Sequence, residues 1–143
     1  MRKAVIGVAV LVVSLVAVFA ASSATTAMTK LEATLNGKAD GAPKTNKGKA
    51  EVRLNAATGK VCWEFTLAKI DGKPNQAHIH KGKAGVAGNV VVPLGASYKR
   101  QGCTSAAKSL VKAILKSPGS YYVNVHNAKH PAGAMRGQLT RGA

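Results

Sequence analysis

The four histidines of the chain fall in two short stretches, Ala77-His78-Ile79-His80 and His126 to His130. Along an extended strand, side chains two apart share a face, so His78 and His80 point one way while Ala77 and Ile79 point the other. His126 ends a second strand-like run, and His130 follows it across a turn. If the two runs are neighbours, three or four imidazoles converge, and neutral imidazole nitrogens are good ligands for copper or zinc. The candidate metal set is therefore His78, His80, His126 and His130. Against it stand Lys81 and Lys129, each beside a histidine, the absence of a carboxylate from both stretches, and an overall positive charge that repels cations. The other reading is structural: the rings bond to backbone and to Asn124, Asn127 or Gln76, and pin loop to strand. Sequence leaves both open.

Other chemistry is sparse. Arg136 and Gln138 alternate with Met135 and Leu139, and the guanidinium has three candidate partners: a backbone carbonyl, a carboxylate such as Glu64, or an anionic ligand. The internal role is preferred, which makes Asn124, Arg136 and Gln138 structural polar residues. The loop with Gly82, Gly85 and Gly88 lacks the Gly-Lys-Ser/Thr ending of a phosphate cradle. No serine, threonine or cysteine stands in a nucleophile motif, and Glu32, Glu51 and Glu64 lie too far apart in sequence to read as a catalytic pair. No catalytic or organic-cofactor residue is assigned, and a non-enzymatic role is expected, with a metal-dependent redox enzyme as the alternative.

The elements that would hold these residues are mostly strands. Apolar residues alternate at Leu31, Ala33 and Leu35, at Ala50, Val52 and Leu54, and at Val61, Trp63, Phe65 and Leu67. Thr58-Gly59 marks a hairpin between the last two. Further strands are read at Ala77 to His80, Val90 to Leu94, Tyr121 to His126 and Ala134 to Thr140. Ala107, Leu110, Val111, Ile114 and Leu115 recur at helical spacing, with Thr104 or Ser105 as the cap and Pro118 as the stop. Many short strands and one short helix predict an all-β fold, an antiparallel immunoglobulin-like sandwich or a partly closed Greek-key barrel.

The first residues read as an export signal: Arg2 and Lys3, an apolar run from Ala4 to Ala21, then Ser22-Ser23-Ala24, with cleavage after Ala24. A retained membrane anchor is the competing reading, since the run approaches the roughly 18 residues a spanning helix requires. Cleavage leaves a single domain over residues 25–143, and in an exported chain the two cysteines, Cys62 and Cys103, are expected to pair. Of 21 basic residues, Arg2 and Lys3 lie in the leader, so 19 remain against 5 acidic ones, a net charge of +14. That charge points to anionic cell-envelope or extracellular polymers as partners. Nucleic acid is not expected, because Phe65, Trp63 and three tyrosines make no aromatic platform. The product is expected to be secreted or envelope-associated, without stable membrane insertion once the leader is gone.

Together, Leu35-Asn36-Gly37, Gly59-Lys60-Val61-Cys62, Ala77-His78-Ile79-His80, Ala84 to Gly88 with Val90 to Leu94, Tyr121 to His126 and Pro131 to Leu139 resemble the CHRD domain family, the repeat named after chordin. The resemblance runs in matching order over about residues 30 to 140. It implies a single-domain secreted member of microbial type and an immunoglobulin-like β-barrel with a likeness to copper–zinc superoxide dismutases. The likeness fits the paired histidines; the lack of an acidic residue beside them does not. No active site is carried across by it.

Overall fold

The computed structural model describes residues 27–142, so the expected leader and its cleavage point lie outside the described residues. Among the described residues, nine strands form one antiparallel sheet: β1 (Thr29–Asn36), β2 (Lys47–Asn55), β3 (Lys60–Lys69), β4 (Pro74–Lys81), β5 (Val90–Pro93), β6 (Gln101–Ser105), β7 (Tyr121–Asn127), β8 (Met135–Gln138) and β9 (Thr140–Arg141). Their spatial order is β5-β4-β7-β8-β1-β2-β3-β6, with β9 on β1. The sheet curls into a nearly closed barrel, so of the two expected architectures the barrel is the one formed.

Closure is made by the chain itself. Residues 94–100 run from β5 at one end of the sheet to β6 at the other. On one side the Leu94 and Tyr98 amides donate to Ala77 and Asn75 carbonyls; on the other the Phe65 amide donates to the Arg100 carbonyl, and Trp63 Nε1 to the Lys99 carbonyl, at 3.0 Å. Phe65 and Tyr98 pack ring to ring across this seam, centroids 5.5 Å apart.

Alternation places the core as the sequence implies. Leu31, Ala33, Leu35, Ala50, Val52, Leu54, Val61, Trp63 and Phe65 are all buried, joined by Ile79, Val92, Val123, Val125, Met135 and Leu139. Helix α1 (Lys108–Lys116) closes one end with Val111 and Ile114. At about 25 cal/mol per Å2 of apolar surface removed from water, this interior is the main stabilising contribution.

One strand had no signal in the sequence, and one local expectation is corrected. Gln101–Ser105 forms β6, whose only apolar side chain is Cys103, so no alternation announced it. Thr104 and Ser105 therefore belong to a strand and do not cap α1; its N-cap is Ala107, with no side-chain cap bond. Cys62 and Cys103 stand opposite each other in β3 and β6 and are joined as a disulfide. Among the described residues no helix is long and apolar enough to cross a membrane.

Candidate metal centre

β4 and β7 are antiparallel neighbours in a register that sets Gln76 opposite His126, His78 opposite Asn124 and His80 opposite Tyr122. Ala77, Ile79, Val123 and Val125 fill the barrel, which turns the intervening residues to the outer face. There His78, His80 and His126 each present one ring nitrogen, and these nitrogens all lie within 4.8 Å of one another. The ring centroids are 5.0 Å apart for His78 and His126, 5.7 Å for His78 and His80, and 5.9 Å for His80 and His126.

Backbone carbonyls fix two of the rings. His80 Nδ1 lies 2.9 Å from the Gly88 carbonyl and His126 Nδ1 3.0 Å from the Pro131 carbonyl. A carbonyl only accepts, so each Nδ1 carries the proton and each Nε2 keeps a lone pair. Those two Nε2 atoms and His78 Nδ1 are buried and have no hydrogen-bond partner. Burial, reinforced by His126 and His80 nearby, pushes the His78 pKa down to about 4. Burial also lowers that of His80, against the bond its ring donates to the Gly88 carbonyl. Both rings are thus neutral at pH 7, the form that coordinates metal.

The glycine-rich loop after β4 is part of this structure. The His80 ring stacks on Tyr122, centroids 4.8 Å apart and planes 9° from parallel, and the Tyr122 hydroxyl accepts from the Gly88 amide at 3.1 Å. A Cβ on Gly88 would collide with the Lys81 carbonyl, so the loop closes this tightly only with glycine there.

Behind the histidines lies a buried ion pair. Arg136 stands opposite Asn124 in β8, with its Nε 3.4 Å from Oδ1 of Asp40, and both side chains are under a tenth exposed, at 8% and 9%. Its Nη2 donates to the Ala39 carbonyl at 3.3 Å, and the guanidinium carbon sits 4.8 Å from the Tyr122 ring centre. The carboxylate is Asp40, from the 3-10 turn Lys38–Asp40, and not Glu64, which bonds Arg100 at 2.9 Å. Burial raises the Asp40 pKa and Arg136 opposes the rise. Asp40 Oδ2 and Asn124 Oδ1 are buried without a partner, and both crowd the position a Cβ would take at Gly133. Asn124 Nδ2 donates to the Ala132 carbonyl at 3.2 Å, and Gln138 donates to the carbonyls of Gly82, Gly119 and Tyr121.

The fourth histidine is not brought to the others. His130 sits in the turn after β7, where its amide bonds to Asn127 Oδ1 at 2.8 Å, and its Nε2 lies 3.2 Å from Asp71 Oδ2. The turn has carried it off the strand face. Asp71 also takes Lys129 at 2.7 Å, so one of the two lysines expected to oppose a cation is already paired. Glu32, Glu51 and Glu64 form one row across β1, β2 and β3, each turned to its own cation, Lys30, Arg53 and Arg100. Asp40 is the residue that sequence reading missed. Its signal was weak: with three glutamates on strands, Asp40 and Asp71 were the only acidic residues left in loops to meet a buried arginine.

Compared with known proteins, residues 31–139 match the family model described as the CHRD domain. No curated protein matches. No solved structure matches.

Proposed function

The chain belongs to the CHRD domain family, and from that premise we propose that this member is an exported, non-enzymatic binding module that holds one copper or zinc ion through His78, His80 and His126. Family membership suggests a non-enzymatic module, and the disulfide is in keeping with export. One cluster carries the metal reading: His78, His80 and His126 each bring a ring nitrogen within 4.8 Å of the others, and each has one buried ring nitrogen without a partner. Leaving a buried acceptor unsatisfied costs about 1–3 kcal/mol, and a single cation among the three satisfies them together. The Nδ1 bonds to the Gly88 and Pro131 carbonyls are the outer contacts that orient metal-binding imidazoles.

Three nitrogens with no thiolate favour copper(II) or zinc over magnesium or calcium, and copper(II) over zinc at equal availability. The local charge is milder than the net charge implies. Asp40 offsets Arg136 and Asp71 offsets Lys129.

Titration calorimetry with zinc and with copper(II) at pH 7.5 is expected to give one ion per chain. At 100-fold excess over Kd the ion adds about 2.7 kcal/mol, roughly 10 °C in Tm. His78→Ala, His80→Ala and His126→Ala abolish the shift, and His130→Ala keeps it. Absence of binding, or equal loss in the His130 variant, overturns the proposal.

A further inference from the structure

Helix α1 contains no acidic residue and carries Lys108, Lys112 and Lys116 at four-residue spacing, all exposed on one face opposite the buried Val111 and Ile114. Four residues rise about 6 Å along a helix, so the three ammonium groups form a row about 12 Å long. Like charges at this spacing repel, and among the described residues none of the three has a carboxylate partner. The helix keeps an arrangement that works against its own stability. At its end Arg141 donates to the Leu115 carbonyl at 2.8 Å, which adds a fourth cation.

Beside the row runs a groove floored by Ala27, Thr29, Ala56, Ala57 and Leu115 and edged by Lys108 and Lys112. The groove lies where the chain enters the domain. The apolar run ends at Ala21, six residues before Ala27, and six residues span at most about 20 Å. With that run in a bilayer, before or without cleavage, a tether of this length brings the lysine row within reach of the lipid surface.

We propose that this face of α1, the lysine row with the small apolar groove beside it, docks on an anionic phospholipid surface. Lysine stems lie along the interface with their ammonium groups at lipid phosphates, and the alanine and leucine floor meets the headgroup boundary. The face is independent of the histidines, which lie on β4 and β7. Lysines elsewhere, such as Lys38, Lys44 and Lys69, share neither the helical row nor the position at the chain entry.

Residues 25–143 hold all nine strands, the helix and the family match, so this piece is tested without its apolar leader. It is sedimented with vesicles of phosphatidylglycerol mixed equally with phosphatidylcholine, and with vesicles of phosphatidylcholine alone. Binding to the first only is expected. K108Q/K112Q/K116Q weakens it on the order of 100-fold, and Lys112→Gln alone about 5-fold. K38Q/K44Q/K69Q, which removes the same charge elsewhere, costs less than about 5-fold. Glutamine keeps helix propensity, and circular dichroism checks the fold of each variant. Equal losses in the two triple variants overturn the proposal in favour of diffuse charge. Failure to bind phosphatidylglycerol vesicles overturns it as well, and tighter retention on polyphosphate than on vesicles assigns the face to a polymer instead.

Discussion

Replacing Arg136 by methionine leaves Asp40 as a lone carboxylate, with its side chain only 9% exposed. The variant keeps most of the arginine stem volume but removes the ion pair, the bond to the Ala39 carbonyl and the cation over Tyr122. Breaking one side of a buried pair costs about 3–5 kcal/mol, and the 3.4 Å separation places this one at the lower end, about 3 kcal/mol. For a domain of this length that is roughly 12 °C in Tm. The pH dependence has a definite sign. Burial already raises the Asp40 pKa, and without Arg136 the main influence lowering it is gone. The folded state then takes up a proton at higher pH than the unfolded chain. The deficit is therefore full at pH 7.5 and shrinks as pH falls through the folded value. Urea unfolding at pH 7.5 and pH 4.5 reads both effects. Adding Asp40→Asn to the variant removes the stranded charge and is expected to recover stability to within about 1 kcal/mol of the parent. A single variant within about 0.5 kcal/mol of the parent, or a deficit equal at both pH values and in the double variant, refutes the reasoning.

Two further outcomes are expected. Cys62 and Cys103 close a loop of 41 residues, so the double serine variant loses about 4 kcal/mol in the chain-entropy account; an unchanged Tm counts against a stabilising disulfide. For His78 the folded pKa is about 4, below the usual 6.5, so the unfolded chain binds protons first as pH falls. Its contribution is complete above about pH 6.5, declines between 6.5 and 4, and amounts to about 1 kcal/mol for a ring only partly buried. His78→Asn flattens that part of the stability curve, and an identical slope in variant and parent argues against the shift.

Much of the barrel was legible because β1 to β4 and β7 obey a two-residue period wherever one side faces the core. β6 was not, since Gln101-Gly102-Cys103-Thr104-Ser105 has one apolar side chain and is held by pairing to β3 and by the disulfide. The histidine site was half legible. His78 and His80 share a face by strand geometry alone, and the register of β4 on β7 supplied His126. Where His130 would turn was not legible, because a tight turn and the charge of Asp71 settled it. The Asp40 partner of Arg136 depends on a 3-10 turn 96 residues away, a distance over which pattern gives no information.

The segment 94–100 also governs how the protein meets copies of itself. An open sheet presents two rows of unpaired amides and carbonyls on which another molecule can add a strand. Here the link between β5 and β6 draws those rows toward each other and occupies groups on both flanks, at Asn75 and Ala77 and at Phe65. Self-templated fibre growth from this edge first requires stripping Trp63 and Tyr98 out of the seam.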